Sequence, residues 1–142
     1  MKKKSVGYVT GHYFGGWVIP QKIQTAILHF NSLNKKFNIS YMITEYKDSM
    51  KNDILFSKIK NDPHIDNIFF TSALQLNTSS VRSLERLRKY NLFFFLENII
   101  IKKNASIINL RNYIFELGNR KPVKFKRKDY SSLFEDFKSQ FK

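Results

Sequence analysis

Four short runs rich in β-branched and aromatic residues, each followed by a longer segment of helical period, constrain this chain more than any other feature. The runs are 5–10 (SVGYVT), 37–44 (FNISYMIT), 67–71 (NIFFT) and 92–96 (LFFFL). The third and fourth are apolar almost throughout, as strands covered on both faces are. Between them, Pro20 suits the first turn of a helix, because its missing N–H costs nothing there. Ile23, Ile27, Phe30 and Leu33 then recur every three or four residues and predict one inward stripe. A second helix is expected over 50–61, with Ile54, Leu55 and Ile59 inward and Asp62-Pro63 ending it. Ser79 or Ser80 can cap a third helix that runs to Tyr90. A fourth is expected over 104–117, with Ile107, Ile108, Leu110, Tyr113 and Ile114 as core candidates and Gly118 as its C-cap. Strand then helix, four times over, predicts an α/β fold: an open four-stranded parallel sheet with helices on both faces, joined by right-handed crossovers.

A chain of 142 residues is expected to make one main domain, here residues 1–118. Residues 119–142 read as a basic C-terminal extension, with RKPVKFKRK at 120–128 and a short amphipathic helix over 130–141. The absence of cysteine rules out disulfides, thiolate metal sites and a Cys nucleophile, and suits a reducing compartment. The longest apolar run falls far short of the roughly 20 residues that span a bilayer. The lysines at positions 2–4 lead into no apolar signal segment, so a cytoplasmic protein is expected. The formal net charge is +14, and half of it comes from residues 101–142. Such charge can neutralise phosphates. Yet Lys outnumbers Arg 19 to 6, and Arg is the better reader of phosphate and guanine. A solvated basic surface is therefore the expected meaning of the charge, with contact to anionic membrane left open.

In an open parallel sheet, ligands bind beyond the carboxyl ends of the strands, near the point where strand order reverses. That rule nominates Thr10, His12, Tyr13 and Trp17 after the first strand, Glu45 and Tyr46 after the second, Ser72 and Gln75 after the third, and Glu97 and Asn98 after the fourth, and Tyr8 within the first strand is a further ligand-binding candidate. Loop ends are polar in any α/β protein, so capping and solvation compete with binding at each position. Glu97 and Asn98 stand out because they interrupt an apolar run, where an unpartnered carboxylate would be costly. Glu45, Glu97 and His12 are the candidates for acid–base work, and a hydrogen-bond network is the alternative for the two carboxylates. No metal site is expected from His12, His29 and His64, which lack ligand spacing, and no nucleotide-cofactor motif is present. No cofactor is expected.

Two resemblances follow from these residues. The order GYVT, Pro20-Gln21, TEYKDSM, IDNIFFTSALQL and LFFFLEN resembles the catalytic domain of serine recombinases over residues 5–98, in layout more than identity. The recombinase pattern places a nucleophilic Ser and an Arg after the first strand, and an Asp-Arg-Leu with a further Arg after the third. Here those places hold Thr10, Gly11, His12 and Leu74, Gln75, Leu76, so phosphoseryl strand exchange is not expected.

The chain also resembles the sporadic carbohydrate cluster proteins of bacterial surface-polysaccharide gene clusters. The likeness rests on Gly7-Tyr8, Ile19-Pro20-Gln21 with Gln24, Thr44-Glu45-Tyr46, Ser72 to Leu76, and Leu96-Glu97-Asn98. It departs at Asn77, where a Pro is usual, and at Phe95, where a small residue is usual. The resemblance implies an accessory or carbohydrate-binding protein of polysaccharide biosynthesis and no defined reaction. Gln21, Gln24, Glu45, Tyr46, Ser72, Gln75, Glu97 and Asn98 then suit a sugar or nucleotide-sugar ligand. Two alternatives stay open: a scaffold that recruits other pathway enzymes through 130–141, and a degenerate recombinase-like domain that binds nucleic acid through its basic end. Oligomeric state is not legible.

Overall fold

The computed structural model describes residues 3–11, 17–45, 52–77, 79–117 and 123–124. Its elements run β1 (Lys4–Thr10), β2 (Trp17–Val18), α1 (Gln21–Asn34), β3 (Ile39–Glu45), α2 (Asp53–Asn61), β4 (Ile65–Phe70), α3 (Val81–Arg86), β5 (Asn91–Phe94), β6 (Ile99–Ile101), α4 (Ile108–Leu117) and β7 (Val123–Lys124). A 3₁₀ turn, Ala73–Leu76, follows β4, and another, Leu87–Lys89, follows α3.

The main sheet has five strands in the order β3-β1-β4-β5-β6. β1 lies parallel to both β3 and β4, and β4 parallel to β5. The four expected strands are therefore present, and β6 adds a fifth, antiparallel to β5. It arises because Asn98 adopts a left-handed φ of 53°, a conformation Asn tolerates better than most residues. The apolar run that Glu97-Asn98 interrupts is thus a hairpin. β2 and β7 form a separate two-residue parallel pair within stretches read from sequence as a loop and a basic tail. Gly118, the expected C-cap, and the rest of the expected C-terminal extension, including the 130–141 segment, lie outside the described residues.

Alternation along the strands sorts the core into two layers. On one face Val6, Tyr8, Ile68, Phe70, Leu92 and Phe94 pack against α2, α3 and α4. On the other, Val9, Phe69 and Phe93 meet Leu28 of α1, and Ile27 packs on Phe95. Phe69 and Phe93 stack with centroids 4.3 Å apart, and each fully buried ring of this kind contributes about 1.5–3 kcal/mol. α1 comes close to the sheet at Gly7, where a Cβ would collide with the Met42 thioether and crowd Leu28.

Helix boundaries and faces differ in part from expectation. α2 begins at Asp53, and α3 gives way to a 3₁₀ turn after Arg86. α4 begins at Ile108, whose side chain is exposed, while Ile107, Leu110 and Ile114 are buried. In α1 the inward residues are Gln24, Ile27, Leu28, Asn31 and Ser32, whereas Phe30 and Leu33 are 44% and 62% exposed. The stripe is rotated because Gln24 finds backbone partners at the end of β1, as set out below.

Candidate functional site: a hydrogen-bonded network at the carboxyl ends of the strands

Strand order reverses between β1 and β4. From β1 the chain passes outward to β3 on one side and to β4 on the other, so the crevice favoured for ligands lies beyond these two strands. The β1–β4 register runs to Tyr8 opposite Phe70, and β1 then continues two residues paired with β3 alone, its edge towards β4 left open. Those residues carry backbone groups that must find partners. Gln24 supplies them: the Thr10 N–H donates to Gln24 Oε1 (3.0 Å), and Gln24 Nε2 donates to the carbonyls of Thr10 and Ile19 (both 2.8 Å). One side-chain amide thus acts as a short length of strand.

Gln75 completes the bridge from the other side. Its Oε1 accepts from the N–H groups of Thr71 (2.8 Å) and Ser72 (3.2 Å) as the chain leaves β4. Its Nε2 donates to Gln24 Oε1 (3.0 Å), Thr10 Oγ1 (3.2 Å) and the Tyr8 carbonyl (3.4 Å). Both glutamines are fully buried. Two neutral amides therefore fill the gap where β1 and β4 part. The Thr71 hydroxyl beside them is buried without a protein partner.

Glu45, fully buried at the end of β3, meets a different need. The first N–H groups of a helix have no partner within it. Here Ile54 N donates to Glu45 Oε1 (3.1 Å) and Oε2 (3.2 Å), and Leu55 N donates to Oε1 (3.2 Å). The carboxylate caps α2 from another strand, at the end where the helix dipole favours negative charge. The Tyr8 hydroxyl also donates to Glu45 Oε1 (3.1 Å) and accepts from Asn52 Nδ2 (2.7 Å). Burial, first of all, holds the Tyr8 phenol well above its usual pKa, so the hydroxyl keeps its proton. Asn52, in the left-handed region at φ 55°, also donates to the Gln75 carbonyl (2.9 Å) and accepts from Ser79 Oγ (2.6 Å).

Glu97 forms the outer part of the cluster. Its Oε2 accepts from Ser72 Oγ (2.6 Å) and Tyr113 Oη (2.9 Å), and its Oε1 accepts from Ala73 N (2.9 Å). Ser72 Oγ in turn accepts from Leu74 N (3.1 Å), so the turn after β4 is tied through Glu97 to α4. Glu97 is only partly buried. It borders a cleft of 420 Å³ whose walls include Ile99, Ile101, Asn109, Leu110 and Tyr113.

The structure thus brings Tyr8, Thr10, Gln24, Glu45, Ser72, Gln75 and Glu97 together. Gln21, the first residue of α1, and Asn98, at the β5–β6 turn, are exposed and take part in none of these bonds. Trp17 falls in β2, and His12, Tyr13 and Tyr46 lie outside the described residues. Each of the two candidate acid–base carboxylates has its own set of donors. Asn52, Ser79 and Tyr113 complete the network without having been singled out as site residues. A signal existed for Ser79, a plausible cap, and for Asn52, which stands directly before Asp53-Ile54-Leu55 where a helix starts. Among the described residues no group of three or more His, Asp or Glu is placed to hold a metal ion. No described helix is long and apolar enough to cross a membrane.

The architecture is an α/β fold with a mostly parallel five-stranded sheet, and it resembles a recombinase catalytic domain. The chain is similar to the N-terminal catalytic domain of TP901-1 integrase, with a TM-score of 0.53 and 16% identity over 97% of this chain and 98% of that one. At that identity the likeness concerns the fold. No protein-family profile and no curated protein sequence matches the chain. Thr10, at the end of β1 where the recombinase pattern approaches its nucleophile, has its hydroxyl buried as an acceptor for Gln75.

Proposed function

We propose that this protein binds a polyhydroxylated ligand, a sugar or nucleotide sugar, in the cleft beside Glu97, and that it serves bacterial surface-polysaccharide biosynthesis as an accessory or carbohydrate-binding protein. One observation carries the reading. Glu97 is a carboxylate held in fixed orientation by two hydroxyls and a backbone N–H, on the wall of a 420 Å³ cleft that also has apolar surface. Sugars present hydroxyls that a preset carboxylate orients and C–H faces that apolar walls cover. Gln24, Glu45 and Gln75 are positioning residues in this scheme: they hold the strand ends and the turn from which Ser72 reaches Glu97. The five motifs that resemble those of the carbohydrate cluster proteins agree with this reading, since most of their polar residues meet in one network although they lie far apart in sequence.

The test is calorimetric titration with a panel of nucleotide sugars and free sugars. Binding should weaken at least tenfold on Asn109→Trp, which fills the cleft from a residue that makes none of the Glu97 bonds, and on Glu97→Gln. Failure of every ligand to bind, or equal binding by Asn109→Trp, overturns the proposal. The alternative of a nucleic-acid-binding domain draws on the fold likeness and on the basic C-terminal end, most of which lies outside the described residues. The scaffold alternative rests on 130–141, outside the described residues.

A further inference from the structure

We infer that the cleft between the carboxyl ends of α2 and α3 is a second binding site, for a phosphorylated ligand with a flat apolar body: a nucleotide, free or within a single strand. This cleft lies at the amino ends of the strands, away from Glu97, and the inference does not depend on the sugar reading. It measures 320 Å³, at the lower end of the range for small-ligand sites, and is lined by Phe56, Ile59, Lys60, Arg86, Lys89 and Tyr90.

Three cations and no carboxylate line it. The acidic side chains nearest in sequence are engaged elsewhere: Glu85 pairs with Arg88 (3.4 Å), Asp62 with Lys4 (3.2 Å), and Asp66 with Lys103. Among the described residues, no salt bridge reaches Lys60, Arg86 or Lys89. Basic residues near a helix carboxyl end complement its dipole, which accounts for Lys60 on α2 and Arg86 on α3 but not for their convergence, with Lys89 of the 3₁₀ turn, on one concavity. A phosphate there would relieve their mutual repulsion, and the Arg86 guanidinium can hold it through two hydrogen bonds.

The floor selects among anions. Phe56 and Ile59 are buried against the core, and half-buried Tyr90 is tied through its hydroxyl to the Ile59 carbonyl (3.4 Å). Inorganic phosphate would leave this apolar floor wet. A base lying on it would cover what remains exposed of that floor and stack against the half-buried Tyr90 ring.

Fluorescence anisotropy with a fluorescein-labelled six-residue oligothymidylate, competed by ADP and by inorganic phosphate at 50 mM salt, tests the inference. The combined Lys60→Ala, Arg86→Ala and Lys89→Ala protein should bind at least tenfold more weakly. Lys22→Ala, Lys35→Ala and Lys102→Ala combined, an equal charge change elsewhere, should alter affinity less than threefold. With three phosphate contacts, log affinity should fall with log salt at a slope of about −2. Competition by ADP identifies a free nucleotide as ligand; oligonucleotide binding that ADP leaves intact identifies a strand. Absence of binding, equal weakening by both triple variants, or competition by inorganic phosphate as effective as that by ADP overturns the inference.

Discussion

The two ends of the sheet solve the problem of polar groups in opposite ways. At the carboxyl end, amides, hydroxyls and two carboxylates are drawn inward, and most of their hydrogen-bonding capacity goes to backbone that the diverging strands leave bare. At the amino end the charges stay at the surface: Asp62 meets Lys4 and Tyr41, Asp66 meets Lys3 and Lys103, and three further cations line an open cleft. Hydrogen-bonded burial makes the first end rigid and costly to alter, whereas solvent screening makes the second cheap to alter and sensitive to pH and salt. Polarity at a strand end is therefore a poor guide to ligand binding until its partners are known.

Changes at the carboxyl end put this contrast to the severest test. Gln75→Ala strips acceptors from the Thr71 and Ser72 N–H groups and a donor from Gln24, and should cost about 3 kcal/mol or more in urea unfolding. A loss under about 1 kcal/mol would mean that water replaces the amide and that the closed end is not closed. Glu45→Gln keeps the shape but removes the charge from the start of α2, for an expected loss of about 1–2 kcal/mol. Tyr8→Phe deletes one hydroxyl between Asn52 and Glu45 and should cost about 1 kcal/mol, again by urea unfolding.

Smaller effects are expected at the amino end, and they should depend on pH. The Tyr41 hydrogen bond, above all, holds the Asp62 carboxyl below its ordinary pKa. A depressed carboxyl stabilises the fold above the ordinary carboxylate range, and the gain is lost as pH falls through the folded value. Asp62→Asn should therefore flatten the acid limb of a stability–pH curve and shift neutral-pH stability less than Tyr8→Phe does. Tyr41 is pushed up to about 12, chiefly by burial and then by Asp62. A raised phenol supports the fold below its unfolded value near 10 and loses that support as pH climbs towards about 12. Tyr41→Phe should remove that alkaline decline and, by deleting the hydrogen bond to Asp62, lower neutral-pH stability slightly; a decline that persists would assign it to another group.

Much of the fold was legible because period and length agree. Each of the four apolar runs contains or overlaps a strand of the main sheet, and Pro20 marks the start of α1. β6 was not, because LFFFLENIII reads as one interrupted apolar run unless the left-handed Asn98 is foreseen. β2 and β7 pair through only two residues each, too few to show any period. The α1 stripe misled because apolar spacing through Phe30 and Leu33 outweighs a single Gln on paper, while in the fold three hydrogen bonds turn Gln24 inward. The strand-end rule pointed to the neighbourhood of the hydrogen-bonded network, and half of the residues it named, Thr10, Glu45, Ser72, Gln75 and Glu97, take part in it. What it could not convey is whether an amide faces solvent or backbone, which depends on where β1 and β4 stop pairing. Asn52 and Tyr113 enter through their distance to strands remote in sequence, for which no local pattern exists.

The glutamine bridge also has a kinetic consequence. Through its Nε2, Gln75 joins partners 51, 65 and 67 residues away, so these three bonds close only after β1, α1 and β4 have been assembled. Contacts of such separation carry the largest loop-closure cost and are expected to form after the folding barrier has been crossed. Stabilisation absent from the transition state slows escape from the native state and leaves its formation alone. The amide pair would then act as a latch on a finished structure, and in stopped-flow chevrons Gln75→Ala should steepen the loss through a faster unfolding limb. An unchanged unfolding rate with slower folding would instead place the bridge in the nucleus.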